Sequence, residues 1–203
     1  FRDSDTTNGV YQQDICMNSG VRNTTVMNNV VNNCAVGIQF ERTAYSYYHA
    51  RSEWGADGAI IEGNTFHNTE YLDVWFYLNS YADNVTVRNN EFTGSSAPGY
   101  NVYTQDRTTI GLLVEDNTFS NGQEPIYMRG GLDWEITDNT IYGDGDASHI
   151  GIAARNGYGI IDGNTLIDAD GGILVDGITA NQVVNITNND ISQSAGRSAP
   201  SAV

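Results

Sequence analysis

Apolar residues alternate with polar ones over short runs of this chain, and a six-residue pattern keeps returning. It consists of an aliphatic residue, two polar or small residues, an Asn, one variable residue and a second apolar residue. Copies begin at Ile61, Val87, Val114, Ile136, Ile161 and Ile186, and a degraded copy begins at Val26. Alternation with a period of two residues is typical of β-strands. Gly, Asn, Asp and Thr, which disfavour helix interiors, are frequent throughout. The pattern therefore predicts an all-β chain.

The Asn of each copy recurs at intervals typical of a repeat protein. The residues are Asn29, Asn64, Asn90, Asn117, Asn139, Asn164 and Asn189, at intervals of 35, 26, 27, 22, 25 and 25 residues. Period-two alternation excludes helical repeats, and scarce leucine excludes leucine-rich repeats. In a parallel β-helix the coils stack at about 4.8 Å, so each Asn would bond to the next in an inner ladder. We expect about seven coils of 22–27 residues.

A second segment of each coil carries a family resemblance. It reads GIQF at 37–40, PIYM at 125–128 and GILV at 172–175. Together with the Asn pattern, these segments resemble the right-handed parallel β-helix repeat family, which includes NosD-like repeats, mannuronan epimerases and polysaccharide lyases. The resemblance covers residues 9–195 and implies one chain wound into a right-handed solenoid. It selects no activity, because the family carries many chemistries on one scaffold.

The repeat also sets the domain boundaries. Residues 1–8 are predicted to be a linker or the end of a preceding coil, 9–195 the β-helix domain, and 196–203 a tail or linker. The longest interval contains an inserted loop at 42–57, and such loops often lie on the binding face of a solenoid. This loop holds Tyr48, His49 and Trp54, an aromatic content unusual for a solvated loop. Neither end shows a capping helix, so we expect the rod to continue, to dock, or to stack on another copy.

Alternation along the second strands predicts an aromatic stripe on the outside. With Ile126, Met128, Ile150 and Ile152 inward, the outward row reads Gln39, Trp75, Tyr103, Tyr127, Gly151, Leu174, and the next row reads Glu41, Tyr77, Gln105, Arg129, Ala153, Asp176. Aromatic faces suit stacking on sugar rings, and Arg binds carboxylates. The predicted ligand-binding residues are Trp75, Tyr77, Tyr103, Tyr127 and Arg129, with Tyr48, His49 and Trp54 from the loop. Alternatively, the stripe only stabilises the sheet or packs against another subunit.

The net charge of the chain limits which classes of molecule it is expected to bind. The net charge is −16, and all nine basic residues are Arg. Nucleic acid is a poor partner, because phosphate binding needs a basic surface. No apolar run is long enough to span a membrane. The acidic composition suits a secreted or cell-surface protein. The expected partners are a polysaccharide, other copies of the chain, or another surface protein, through end-to-end or face packing.

The sequence also contains a candidate Ca²⁺ site and a candidate disulfide bond. Asp144 and Asp146 precede Asp168 and Asp170 by about one coil, so four carboxylates could bind Ca²⁺, although Asp is also an ordinary turn residue. The predicted cofactor is therefore none or Ca²⁺. Cys16 and Cys34 are the two cysteines. They could form a disulfide in a secreted protein, or remain two buried thiols.

Whether the chain is an enzyme stays open in the sequence. The absence of Lys excludes relatives that need a catalytic Lys, and the Asp-Pro-His pattern of mannuronan epimerases is also absent. The candidate catalytic residues are Arg129, His149, Tyr127 and Arg155, in which Arg129 would hold a carboxylate and His149 or a Tyr would move a proton. The leading interpretation is an extracellular or cell-surface module with a structural, adhesive or glycan-binding role, part of a larger protein or repeating assembly. The alternative is a polysaccharide lyase or C5-epimerase acting on uronate-containing glycans.

Overall fold

Short strands stack into three parallel sheets, as the alternation predicts. The computed structural model describes residues 15–19 (backbone only), 22–40, 57–69, 72–76, 82–93, 99–105, 109–120, 122–143 and 149–194. Within these ranges there is no helix, and each sheet contains seven strands. The all-β parallel solenoid is therefore confirmed. None of the described segments forms a helix that could cross a membrane.

Each coil contributes one strand to each sheet, so every strand pairs with the third strand after it in the chain. Sheet 1 contains β1 (Ile15–Ser19), β4 (Val36–Phe40), β7 (Leu72–Phe76), β10 (Tyr100–Thr104), β13 (Ile126–Met128), β16 (Ile152–Arg155) and β19 (Ile173–Asp176). Sheet 2 contains β2 (Thr25–Met27), β5 (Ile60–Glu62), β8 (Thr86–Arg88), β11 (Leu113–Glu115), β14 (Leu132–Thr137), β17 (Tyr158–Asp162) and β20 (Val184–Thr187). Sheet 3 contains β3 (Val30–Asn32), β6 (Thr65–His67), β9 (Glu91–Thr93), β12 (Thr118–Ser120), β15 (Thr140–Tyr142), β18 (Thr165–Ile167) and β21 (Asp190–Ser192).

The six-residue pattern is the corner between sheets 2 and 3. The residue before each ladder Asn is left-handed, as in Asn89 (φ 53°), Asp116 (φ 53°) and Gly163 (φ 68°). Asn, Asp and Gly adopt this conformation at the lowest cost, which explains their frequency. The tight turn sends the following Asn side chain into the rod. The apolar residues at both ends of the pattern, such as Val87 and Phe92, are fully buried in the five inner copies, whereas Ile186 and Ile191 in the last copy are about half exposed.

The predicted Asn ladder is confirmed and runs in one direction. The backbone N–H and the side-chain amide of Asn90 both donate to Oδ1 of Asn117, each at 3.0 Å. The amide of Asn90 also donates to the carbonyl oxygen of Ile61 in the preceding coil at 2.9 Å. The same links join every successive pair from Asn29 to Asn189. Repetition thus gives the buried amides hydrogen-bond partners, the condition for burying polar groups without large cost.

Stacked aromatic rings fill the core beside the ladder. The ring centroids of Phe66 and Phe92 lie 4.8 Å apart, and those of Phe92 and Phe119 lie 4.7 Å apart. A second stack joins Phe40 and Phe76 at 5.0 Å. These distances match the spacing of neighbouring strands, so coil stacking and ring stacking coincide.

Sheet 1 breaks strict alternation, and the sequence did not predict this. Asn101 and Val102 both donate their backbone N–H to the carbonyl oxygen of Pro125, at 3.0 and 2.8 Å. Gly151 and Ile152 share the carbonyl oxygen of Gly172 in the same way. Two adjacent donors on one acceptor are the mark of a bulge, which turns two consecutive side chains to the same side. Each bulged strand therefore has two adjacent inward residues and sends the residue before them outward.

One carboxyl group lies in the core on the neighbouring strand β7, next to Asn101. Asp73 is 1 % exposed and accepts hydrogen bonds from the Thr69 hydroxyl and the Asn101 amide. Burial raises the pKa of Asp73 from 3.8 to about 7, and the two hydrogen bonds oppose that rise. Oδ1 of Asn101 is buried without a partner. This polar group occurs once in the described part of the chain, in contrast to the ladder.

Candidate functional site

A second apolar cluster covers the outside of sheet 1. We call it the outer cluster, and its buried members are Val36, Leu72, Trp75, Tyr103, Tyr127 and Ala153, with Tyr100 and Ile150 packed against them. Trp75, Tyr103 and Tyr127 are aligned on neighbouring strands, as the stripe prediction required. Val36, Leu72 and Tyr100 join them because the bulge turns the first residue of each strand outward.

The register beyond Tyr127 corrects the predicted rows. Tyr127 pairs with Ala153, not with Gly151. A Cβ at Gly151 would meet the side chains of Leu166 and Ala169, so this position faces the core. The prediction assumed strict alternation and did not include the bulge, so it placed β16 two residues out of register with β13. As a consequence, Arg155 rather than Ala153 follows Arg129 in the second outward row.

Three tyrosine rings form the centre of the outer cluster. The rings of Tyr103 and Tyr127 are stacked with centroids 5.3 Å apart. Tyr100 stacks on Tyr103 at 4.9 Å and lies tilted against Tyr127 at 5.1 Å. Burial raises the pKa of Tyr100, and the nearby carboxylate of Glu124 adds to the rise. The raised pKa keeps the Tyr100 phenol protonated at neutral pH.

Two arginines flank these rings. The guanidinium of Arg129 hydrogen-bonds Tyr103, which raises the pKa of Arg129, and its side chain is exposed. Cζ of Arg155 lies 5.4 Å from the ring centroid of Tyr127, within the range of a cation–π contact. Nε of Arg155 also lies 3.3 Å from Oδ2 of Asp176, so one carboxylate already pairs with it. Arg129 has no carboxylate within ion-pair distance among the described residues.

A half-buried carboxyl group lies beside the outer cluster. Burial raises the pKa of Glu124, and the charge of Arg155 opposes this. Tyr100 and Glu124 were absent from the sequence prediction. Both occupy the position before the bulge, where alternation placed them inside. Their signal was a Tyr and a Glu at positions predicted to face an apolar core.

The rings of the stripe do not form an open platform. Trp75 is 7 % exposed, and Tyr103 and Tyr127 are each 8 % exposed. A sugar ring therefore cannot lie flat on them in this conformation, although Arg129 beside them is exposed. The cluster can donate hydrogen bonds and a positive charge to a ligand that binds at its edge.

The structure groups three of the four catalytic candidates. Tyr127, Arg129 and Arg155 meet at the outer cluster. His149 instead borders a small cleft lined by Gln123, Pro125 and Ala169, and neither Tyr127 nor Arg129 lines that cleft. A proton transfer that combines His149 with Arg129 has no geometric support in these contacts.

The remaining predicted sites are only partly described. Tyr48, His49, Trp54, Tyr77, Asp144 and Asp146 lie outside the described residues, as does all of the loop 42–57 except Asp57. The carboxylate of Asp168 accepts hydrogen bonds from the N–H and hydroxyl of Ser194, and Oδ1 of Asp170 accepts one from Gln193. The described residues contain no group of three or more His, Cys, Asp or Glu arranged to hold a metal ion. The Ca²⁺ site stays a prediction.

Cys34 is buried and disulfide-bonded. Cys16 is the other cysteine of the chain, and its side chain lies outside the described residues. The pairing of these two residues therefore also stays a prediction. It would tie the first strand of sheet 1 to the segment that leads into β4.

Comparison with known proteins identifies the fold family. Residues 78–199 match the family model described as the right handed beta helix region. Among solved structures, the chain is similar to the Streptococcus pneumoniae surface protein and adhesin PfbA, with a TM-score of 0.57 and 16 % sequence identity over 85 % of this chain. It spans 48 % of the PfbA chain. No curated protein matches it. Because the family match includes more than half of the residues, the chain belongs to the right-handed β-helix family.

Proposed function

We propose that this protein is a surface-exposed adhesive module that binds an acidic glycan at the edge of the outer cluster. The observation that carries the proposal is Arg129, an exposed cation held beside stacked tyrosines on a chain of net charge −16. A guanidinium next to phenolic hydroxyls recognises a sugar carboxylate through charge-assisted hydrogen bonds.

Two further observations support the location. A disulfide bond at Cys34 is typical of proteins exported to an oxidising environment. The structurally similar PfbA is a surface protein and adhesin. Acidic polysaccharides are common ligands at cell surfaces. A rod-shaped solenoid exposes its side face to them.

Binding to uronate oligosaccharides, measured by calorimetry, tests the proposal. Arg129→Ala should lower the affinity about tenfold or more, since it removes the charge that faces the carboxylate. Arg88→Ala is the matched control, because Arg88 already pairs with Glu62 at 3.0 Å on sheet 2. Equal losses in both variants, or no uronate binding by the wild-type chain, would exclude this face as the site.

The lyase or epimerase remains the second candidate, favoured by the position of Tyr127 between Arg129 and Arg155. In that reaction Arg129 would neutralise the uronate carboxylate while a phenol moves the proton next to it. Turnover is distinguished from binding by new unsaturated sugar ends or by inverted uronate residues. If the wild-type chain produces either, and Tyr127→Phe does not, the enzymatic interpretation replaces the adhesive one.

A further inference from the structure

A groove on the outside of sheet 2 lies away from the outer cluster. It forms because the connections from sheet 1 to sheet 2 differ in length. The connection before β14 spans 129–131 and the one before β17 spans 156–157, whereas the one before β20 spans 177–183. The longer segment therefore rises beside its two short neighbours and makes a wall. The resulting groove has a volume of about 380 Å³, at the small end of the range for ligand pockets.

The wall is ordered by its own hydrogen bonds. The side-chain oxygen of Gln182 accepts bonds from the N–H and the hydroxyl of Thr179, both at 3.0 Å. The N–H of Gln182 returns a bond to the carbonyl oxygen of Thr179 at 2.9 Å. Asn181 and Val183, on either side of Gln182, line the groove. Val183 is 64 % exposed, so it offers an apolar surface to a ligand.

A bulge shapes the opposite side. The register shifts between Leu132 and Trp134, and Asp133 takes a left-handed conformation with φ 53°. This turns the Asp133 carboxylate toward Tyr158, whose hydroxyl lies 3.4 Å from Oδ2. Below them, Gly159 packs so closely on Trp134 that an added Cβ would meet its carbonyl oxygen at 2.0 Å. The floor is therefore fixed.

The floor itself is a row of three aligned residues. Glu135 pairs with Ile160, and Ile160 pairs with Asn185 on the next strand. The groove thus combines an apolar centre with a carboxylate on one side and an amide on the other. None of the described residues that line it carries a positive charge. Carboxylates accept hydrogen bonds, and amides both donate and accept them.

We infer that this groove binds an uncharged sugar unit. The ring of Tyr158 and the side chains of Ile160 and Val183 suit the apolar face of a pyranose, while Asp133, Glu135 and the Asn amides suit its hydroxyls. Two carboxylates without a neighbouring cation repel uronates, sulfates and phosphates. The groove and the outer cluster would therefore select different parts of a mixed polysaccharide.

Titration of the whole chain with neutral methyl hexosides and the matching methyl hexuronides, followed by NMR, tests this inference. We expect at least one neutral hexoside to bind and its hexuronide to bind about tenfold more weakly. Tyr158→Ala should abolish binding, and Tyr158→Phe should keep it, since the ring remains. The control is Tyr142→Ala, which removes a tyrosine that is 43 % exposed on sheet 3.

Arg129→Ala separates this groove from the proposed acidic-glycan site, because it should leave hexoside binding unchanged. Charge is tested by the double variant Asp133→Asn with Glu135→Gln, which should bring hexuronide affinity up to that of the hexoside. The inference is overturned if no hexoside binds at millimolar concentration or if Tyr158→Ala binds like Tyr142→Ala. Calcium ions that bind here while sugars do not would also overturn it.

Discussion

Among the described residues, two groups of buried polar side chains differ in whether they repeat from coil to coil. The ladder asparagines recur in successive coils, and each amide finds partners in the coils before and after it. The group of Asp73, Thr69 and Asn101 occurs once, leaves Oδ1 of Asn101 without a partner, and has a carboxyl pKa near 7. The ladder asparagines of the inner coils and the Asp73 group are both nearly excluded from water. Repetition therefore determines whether a buried polar group stabilises or destabilises the fold.

The largest effect should come from cutting the ladder at its middle. Asn117→Leu removes the acceptor for two donors of Asn90 and the donor to the carbonyl oxygens of Val87 and Glu115. Several buried groups lose their partners at once, so we expect a loss of about 4–6 kcal/mol in the free energy of unfolding. Urea denaturation measures this loss.

The neighbouring substitution Thr118→Ala serves as the control, because Thr118 points outward on the same coil. It should change the free energy of unfolding by less than about 0.5 kcal/mol. Equal losses at the two positions would mean that the ladder amides are not what joins the coils.

The second prediction concerns Asp73 and the dependence of stability on pH. Because burial raises the pKa of Asp73 to about 7, the folded state binds more protons than the unfolded state between about pH 4 and pH 7. The contribution of Asp73 to the free energy of unfolding is therefore fully present below this window. It is lost as pH rises through the window, so the fold is destabilised most by Asp73 above it. The difference amounts to about 4 kcal/mol.

Asp73→Asn should remove this pH dependence. Its new amide can donate to the unpartnered Oδ1 of Asn101 after that side chain rotates, so the polar contact is kept without a charge. Urea midpoints of the variant should exceed those of the wild type above pH ~8 and approach them below pH ~4. A wild-type midpoint that stays constant across this range contradicts the raised pKa.

The smallest effect should appear at the last described step of the ladder. Asn189 accepts two hydrogen bonds from Asn164 but is only partly buried. Water can therefore replace the lost partners, and Asn189→Ala should cost about 1–2 kcal/mol. If this loss equals that of Asn117→Leu, burial does not set the strength of the ladder.

Sequence reasoning predicted the parts of this molecule that repeat. Asn64, Asn90 and Asn117 are recognisable because each has equivalents one coil away, and their spacing alone indicates stacking. The aligned row of Trp75, Tyr103 and Tyr127 followed from the same logic, since those strands begin at equivalent positions.

The departures from the repeat were not accessible in the same way. The bulges of sheet 1 arise from backbone hydrogen bonds shared by adjacent residues, and alternation cannot register them. This explains the misplaced Ala153 and the missing Tyr100. The groove beside Tyr158 depends on how high segment 177–183 rises above its neighbours, which is a relation between coils and not a property of any one of them.

The length of a ladder hydrogen bond does not depend on the number of residues in the coil that it closes. The interval of 35 residues from Asn29 to Asn64 and the interval of 22 residues from Asn117 to Asn139 are closed by bonds of nearly equal length, 3.1 and 3.0 Å. Each Asn acts as a fixed point at which a coil must return, whatever path it takes in between. A solenoid anchored in this way can lengthen one coil by an entire loop without moving the strands above and below it. New surface can therefore be added to the rod one coil at a time.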